Sequence, residues 1–335
     1  MSTPLWITEQ EVVNILDMRG AIAALERGLR LEAAGDAHAM GKTHTSWDGS
    51  TLHAIGAAFP VQGFVGTKTW AHTKNGASPL LILFDAANGS LAAVIEAFAL
   101  GQMRTGSMSA IATDRMASPD ARTLAIVGTG KQAFAQVAAV ASVRSLERVF
   151  VYSPTQAHRA AFAHKLRQAF AFTVEEALSV SQAVCGADIV TLATRAREPF
   201  LHAADLAHGA HLNAVGAITL DRIEFYDDVF ARATQIAVDA KGAVAQLSRE
   251  FIDHFGAPEQ PAWEAVCPIS QLVAAQPTRA ANSDVTLFKA MGTGLADLAL
   301  GIDILGAARE RGLGRALDAP VRAPIRFAEH PVITR

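Results

Sequence analysis

Thr123-Leu124-Ala125-Ile126-Val127-Gly128-Thr129-Gly130-Lys131-Gln132-Ala133 is the stretch whose reading decides the fold. Five apolar or β-branched residues form a strand that runs straight into two glycines, and a helical pattern opens at once. The first glycine permits a tight turn and the second lets backbone approach a pyrophosphate. Ala133 stands where a third glycine is usual and adds little bulk between helix and strand. Amides at the helix start then face the phosphates, so Gly128, Thr129, Gly130, Lys131 and Gln132 are expected to cradle a dinucleotide.

Outward from this turn, strand and helix patterns alternate. Gln132 to Val143 reads as a helix, Arg148 to Tyr152 as a strand and Ala157 to Phe170 as a helix, with further strands at Ile189 to Ala193, His211 to Val215 and Gln235 to Val238. Such alternation predicts parallel βαβ units, hence an α/β class with a Rossmann-type sheet. The strand Arg148 to Tyr152 continues as Ser153-Pro154-Thr155, without the carboxylate that would bind the ribose hydroxyls of NAD. Ser153, Thr155 and Arg159 are placed to bond a 2′-phosphate instead, so NADPH is expected as cofactor, with NADH weaker.

Upstream, Thr8 to Gly35 reads as one amphipathic helix, and Thr51 to Leu91 as an antiparallel sheet whose clearest turn is Asn88-Gly89. A small-residue helix follows from about Arg104 to Met116. Ser118-Pro119-Asp120 marks a boundary, which gives units at 1–117, 118–309 and 310–335. Leu295 to Arg311 reads as a last long helix. Beyond it Pro320, Pro324 and Pro331 punctuate a tail that returns to the first unit.

The chain has 335 residues, 50% hydrophobic and 18% charged, with a net charge of −3. No basic stripe suggests nucleic acid as a partner. The N-terminus shows no secretory pattern and the run from Ala86 to Met103 is broken by polar residues, so no membrane association and a cytoplasmic location are expected. Cys185 and Cys267 read as buried structural thiols. The eleven histidines form no ligand cluster, and no metal is expected.

Several stretches together resemble the ornithine cyclodeaminase and mu-crystallin family. They are Gly66-Thr67-Lys68, Arg104-Thr105-Gly106, the glycine-rich turn, Asn213-Ala214-Val215-Gly216 followed by Glu224, and Leu287-Phe288-Lys289-Ala290-Met291-Gly292 with Asp297. The resemblance implies a central Rossmann domain clasped by a split α+β domain for substrate binding and dimerisation, and a homodimer. It places Lys68 and Arg104 on the carboxylate of an imino-acid substrate, with Lys68 the leading proton donor. Thr105, Ala193, Thr194, Val215 and Gly292 would stand beside the cofactor. Family members commonly carry an arginine where this chain has Lys42; Lys42 and His53, or equally His44, are candidates for the pocket wall.

One departure bears on the reaction. Cyclodeaminases of the family carry an aspartate two residues past the glycine, and this chain reads Gly216-Ala217-Ile218-Thr219. Ile218 cannot be a base, although Asp221 stands close by. Reduction of an imine needs an acid rather than that base. The expected activity is therefore NADPH-dependent reduction of Δ1-pyrroline-2-carboxylate or Δ1-piperideine-2-carboxylate to L-proline or L-pipecolate. An ornithine cyclodeaminase, an alanine-type dehydrogenase and a non-catalytic NADP-binding crystallin-like protein stay open as alternatives.

Overall fold

The computed structural model describes residues 3–275, 279–280 and 282–326, so Pro331 lies outside the described residues. After a short strand β1 (Leu5–Ile7), the segment expected as one helix is two, α1 (Glu9–Ile15) and α2 (Met18–Ala34). Thr8 and Glu11 form a reciprocal capping box on the first. Asp17 then caps the second by accepting from the Gly20 amide at 2.7 Å, and Gly35, at φ 80°, ends it. The apolar spacing runs unbroken through Leu16, which hid the break; Asp17 was the overlooked start signal.

Strands β2 (His38–Trp47), β3 (Ser50–Phe59), β4 (Phe64–Thr73), β5 (Gly76–Ala77), β6 (Leu80–Asp85) and β7 (Leu91–Glu96) continue the first sheet. β2, β3, β4, β6 and β7 pair antiparallel, as expected, while β1 joins β7 in parallel, so the sheet is mixed. Asn88-Gly89 lies in the β6–β7 connection, closed by the Gly89 amide donating to the Asp85 carbonyl at 2.9 Å. Asp48-Gly49 makes a two-residue hairpin turn between β2 and β3. Both residues have positive φ, 41° and 74°, as a type I′ turn demands.

The helix α3 (Phe98–Met116) leads into the second sheet. Its strands are β8 (Thr123–Val127), β9 (Arg148–Tyr152), β10 (Thr173–Glu176), β11 (Ile189–Leu192), β12 (His211–Ala214), β13 (Ala233–Val238), β14 (Val266–Pro268) and β15 (Val285–Lys289). Helices α4 (Ala133–Val143), α5 (Gln156–Ala169), α6 (Val180–Val184), α7 (Asp228–Arg232), α8 (Lys241–Leu247), α9 (Arg249–Phe255) and α10 (Ile269–Ala275) intervene. All eight strands are parallel, in the order β10-β9-β8-β11-β12-β15-β13-β14. Strand order reverses between β8 and β11, and ligands of such sheets bind at that switch point, outside the carboxyl ends of the strands.

The chain then closes on its beginning. Helix α11 (Gly294–Arg311) buries Leu295, Leu298, Leu300, Ile304 and Leu305 in one core with Ile7, Leu25, Leu29, Phe59, Leu81 and Ile95. It packs with the first sheet, although the sequence reading grouped it with the Rossmann unit. A side chain at Gly301 would meet Leu81 at 2.3 Å, so glycine sets how near the helix lies. Strand β16 (Arg315–Ala316) then adds to β1. Cys185 and Cys267 are free thiols, and Cys185 is exposed, not buried as expected. Among the described residues no helix is long and apolar enough to cross a membrane.

A buried polar ladder ties α3 to the parallel sheet. Asn213 Nδ2 donates to Thr113 of α3 at 2.9 Å, and the His211 ring lies between Asn213 Oδ1 (3.2 Å) and Thr286 Oγ1 (2.9 Å). A neutral ring with Nε2–H donates to Asn213 Oδ1, while Nδ1 faces the Thr286 hydroxyl, which also reaches the Met116 carbonyl at 3.0 Å. Burial accordingly pushes His211 down to about 3. The unfolded chain takes up this proton near pH 6.5 and the folded chain does not, so stability falls as pH drops below 6.5 and levels off only near 3. The unfolding free energy from urea titration should decline between pH 6.5 and 5, above the main carboxylate range, with a slope approaching about 1.4 kcal/mol per pH unit for each histidine so lowered, His211 and His53. A flat free energy across that interval would contradict a buried neutral His211.

Candidate active site

The glycine-rich turn sits at the switch point. Gly128 has φ 108°, and a Cβ there would lie 2.5 Å from the Ala193 carbonyl oxygen, so both backbone and space demand glycine. Gly130 faces open space, and Thr129 and Lys131 are accessible beside it. No side chain caps α4 at Gln132, which leaves the helix start available to an anion. The turn therefore fits a dinucleotide pyrophosphate.

Thr194 follows β11 and Gly216 follows β12, and one buried carboxylate fastens both. Glu224 Oε1 accepts from the Thr194 amide (2.8 Å) and hydroxyl (2.7 Å), while Oε2 accepts from the amides of Gly216 (2.9 Å) and Ala217 (3.1 Å). The Thr194 hydroxyl is thus committed to Glu224. Behind it, Lys289 Nζ lies 3.2 Å from Glu250 Oε2, and Glu250 Oε1 accepts from the Glu224 amide. Val215 is buried and Ala193 borders the Gly128 turn.

At the end of β9, Ser153 and Arg159 are buried and Thr155 is exposed. The Arg159 guanidinium turns inward: Nη1 donates to the Ser153 carbonyl at 2.8 Å and Nε lies 3.7 Å from Glu176. Its visible work is to anchor the end of the strand. Arg159→Ala should therefore cost about 1.5–3 kcal/mol of stability, the range for a lost hydrogen bond from a charged group. Chemical denaturation measures it, and an unchanged midpoint would mean that the guanidinium is not a structural anchor.

The second cluster faces this edge from the first sheet. Lys68 of β4 is 4% exposed, and its Nζ lies 2.5 Å from Asp297 Oδ1; Arg104 Nε of α3 is 3.4 Å from the same oxygen. Asp297 is fully buried in the first turn of α11, where the helix dipole favours a negative charge. Burial lowers Lys68 to about 8, against the pull of Asp297 and with the repulsion of Arg104 and Lys42 added. Lys42 sits at the irregularity between Met40 and Thr43 of β2. Burial pushes it down, Arg104 reinforces this, and Asp239 opposes it.

His53 stands one row from Lys68 on the same face, since Trp70 pairs with His53 as Lys68 pairs with Ile55. Its ring stacks between Trp70 (4.8 Å) and His44 (5.6 Å), and Nε2 is 2.7 Å from Thr51 Oγ1. Burial, then the charges of Lys42, His44 and His72, lower it to about 4, so it is neutral at ordinary pH. Lys68 Nζ lies 5.2 Å from the centre of the Trp70 ring. Thr105 donates its hydroxyl to the Gly101 carbonyl at 2.9 Å.

Lys42, His53, Lys68 and Arg104 are thus brought into one neighbourhood. Gly292 joins them, against Arg104. Trp70, Asp239 and Asp297 were not singled out as site residues by the sequence reading. Asp239 had a usable signal, an acid directly after the buried β13 residues Ile236 to Val238 and so at the carboxyl edge of a parallel strand. Asp297 had one too, as part of the late motif.

A parallel sheet with a glycine cradle at its switch point, facing a buried Lys-Arg-Asp cluster, defines a dinucleotide-binding α/β fold of the oxidoreductase kind. The chain belongs to the ornithine cyclodeaminase/mu-crystallin family, whose sequence pattern it matches over residues 4–310. It is 28% identical over 240 residues to a Δ1-pyrroline-2-carboxylate reductase of Bacillus cereus, covering 71% of this chain and 74% of that one. It is 34% identical over 172 residues to the ketimine reductase mu-crystallin of Mus musculus, covering 51% of this chain and 53% of the other. The structure of Thermococcus litoralis Δ1-pyrroline-2-carboxylate reductase with NADH and L-proline superposes with a TM-score of 0.87, at 23% identity, over 93% of this chain and all of that one.

Proposed function

We propose that this protein reduces a cyclic α-imino acid, Δ1-pyrroline-2-carboxylate or Δ1-piperideine-2-carboxylate, to L-proline or L-pipecolate with NADPH. The observation that carries this reading is Lys68, a buried lysine lowered to about 8 that shares Asp297 Oδ1 with Arg104. A cofactor on the Gly128 turn supplies hydride to the imine carbon. The protein supplies the rest: Arg104 and Lys42 grip the carboxylate, and Lys68 gives a proton to the nitrogen. Two relatives whose names specify pyrroline-carboxylate and ketimine reduction support the substrate type.

The loop after Gly216 favours reduction over cyclodeamination. Ile218 is 37% exposed and offers no base. Asp221 is exposed, accepts from the Thr219 hydroxyl at 2.7 Å and lies beside Arg197 and Arg222. The hydroxyl bond and the two guanidinium groups hold its carboxyl below the usual range, which suits a surface ion rather than a base. The buried cluster likewise speaks against a non-catalytic binder, because Lys42, Lys68 and Arg104 outnumber Asp239 and Asp297, and an excess of positive charge there is costly to keep.

For the cofactor, the strand end Ser153-Pro154-Thr155 without a carboxylate supports NADPH over NADH; the structure related at 23% identity was determined with NADH. For assembly, the outer face of the first sheet leaves Met40, Trp47 and Leu52 exposed beside half-buried Val65, Ile82 and Phe84. We infer that a second copy covers it. Light scattering should give twice the chain mass, and Trp47→Glu with Leu52→Glu should halve it.

The enzymatic test is NADPH oxidation with each cyclic imine. A protonated Lys68 is required for reduction, so kcat/KM should fall as pH rises through about 8. Oxidation of L-proline with NADP⁺ needs the neutral amine and should rise through the same pH. Lys68→Met should lower kcat by roughly 10²–10⁴-fold. Ammonia release from ornithine would replace the reductase reading by the cyclodeaminase one. A higher kcat/KM with NADH than with NADPH would overturn the cofactor preference alone.

A further inference from the structure

Arg104 has the task of holding a carboxylate, yet its own support is indirect. Its Nε makes no hydrogen bond, and the nearest carboxylate oxygen, Asp297 Oδ1, is 3.4 Å away and already bound by Lys68. What fixes the guanidinium is the surface on which it lies. A Cβ built on Gly292 would be 2.9 Å from Nη1, 3.2 Å from Nη2 and 3.5 Å from Cζ, so the fork rests on the glycine α-carbon. Gly292 also has φ 85°, a conformation that side chains resist.

The turn that presents this bare α-carbon is held by a residue from another strand. Asp239 Oδ1 accepts from the Met291 amide at 2.8 Å, and Oδ2 accepts from the Gly292 amide at 2.7 Å. Asp239 is 5% exposed, and its own amide donates to the Lys289 carbonyl, the last residue of β15, at 3.2 Å. It is thus sewn to the turn at both side chain and backbone. Arg104 and Lys42 are the cations that its charge feels, and Asp239 in turn opposes the loss of the Lys42 proton.

We propose that Gly292 is the seat of the Arg104 guanidinium and that Asp239 is a positioning residue, which holds that seat so that the fork meets the substrate carboxylate. This deepens the imino-acid reductase reading and rests on it. It also moves Gly292 from the cofactor wall, where the family resemblance put it, to the substrate side. A methyl at position 292 pushes the fork off its seat by about half an ångström, because a Cβ 2.9 Å from Nη1 is short of ordinary contact, and misplacement approaching an ångström costs up to about two orders of magnitude in a positioned contact.

The test measures binding as well as turnover. In Gly292→Ala, the Kd of L-proline for the protein saturated with NADP⁺ should rise by about tenfold or more, while the Kd of NADPH alone changes less than about threefold. In an Arg104→Lys background, Gly292→Ala should add almost nothing to the loss of proline affinity, because the group it displaces is gone. Asp239→Asn keeps the size but turns one acceptor into a donor against a backbone amide. It should raise KM for the imine more than it lowers kcat, and most of that effect, all but the part that runs through Lys42, should vanish once Arg104 is Lys.

Equal losses of proline and NADPH affinity would return Gly292 to the cofactor wall and overturn the proposal. So would full additivity with Arg104→Lys. Should Gly292→Ala not fold, Asp239→Asn carries the same cycle. Proline binding reports on the seat even if the preferred imine is a different one, whereas a wild-type protein that binds proline but reduces no imine would sink the reductase reading and leave the seat standing.

Discussion

One buried carboxylate determines where three elements meet. Asp297, at the head of α11, holds Lys68 from β4 and attracts Arg104 from α3; Asp297 and Lys68 are buried and Arg104 is partly so. Two cations so close repel one another, and burial disfavours each of them. Only a negative charge between them lets both remain inside. The cost of removing one member of such a set, typically about 3–5 kcal/mol, means that the Lys68-Arg104-Asp297 cluster and the packing of α11 stand or fall together. Gly301 serves the same end by steric means, since the helix lies close enough for Asp297 to reach only because no side chain intervenes against Leu81.

The Rossmann side uses the same device a second time. Glu224, itself buried, satisfies four donors from the loops after β11 and β12, and the Glu250–Lys289 pair stands behind it. Burial raises the Glu224 carboxyl while Lys289 opposes the rise. Backbone that would line a nicotinamide pocket is therefore shaped by an acid that need not touch the cofactor. Asp239 does the corresponding work on the turn at 291–292. In both cases the two acceptor oxygens of one carboxylate bridge loop amides that no regular ladder can satisfy, three for Glu224 and two for Asp239.

Much of this was legible from residues alone, and the failures are instructive. The turn at Gly128 could be read because its requirement is local: strand, glycine and helix start follow one another in sequence. Lys68 and Arg104 emerged only through resemblance, since nothing nearby in the chain tells a buried lysine from a surface one. Asp297, 229 residues from Lys68, could not be recognised as its partner by spacing. β10, β14 and β15 escaped because two are short and the third carries Lys289 in a fully buried run, which disguises a central strand. For Arg159 the place in sequence says nothing of the direction of the side chain, which the structure turns towards Glu176 and the Ser153 carbonyl.

The closing of the chain on itself has a bearing on how it comes to be folded. The core around Ile7, Leu25 and Leu81 is completed by α11, and β1 gains β16 only from residues near position 315. A growing chain on the ribosome can assemble the parallel sheet from consecutive βαβ pieces, but its earlier segment must wait for almost the whole sequence to emerge. During that interval the apolar inner face of the first sheet has no α11 to cover it. Synthesis at about 5–20 residues per second makes the wait tens of seconds long. The same late helix that brings Asp297 to Lys68 thus sets the period in which the nascent protein most needs protection from its neighbours.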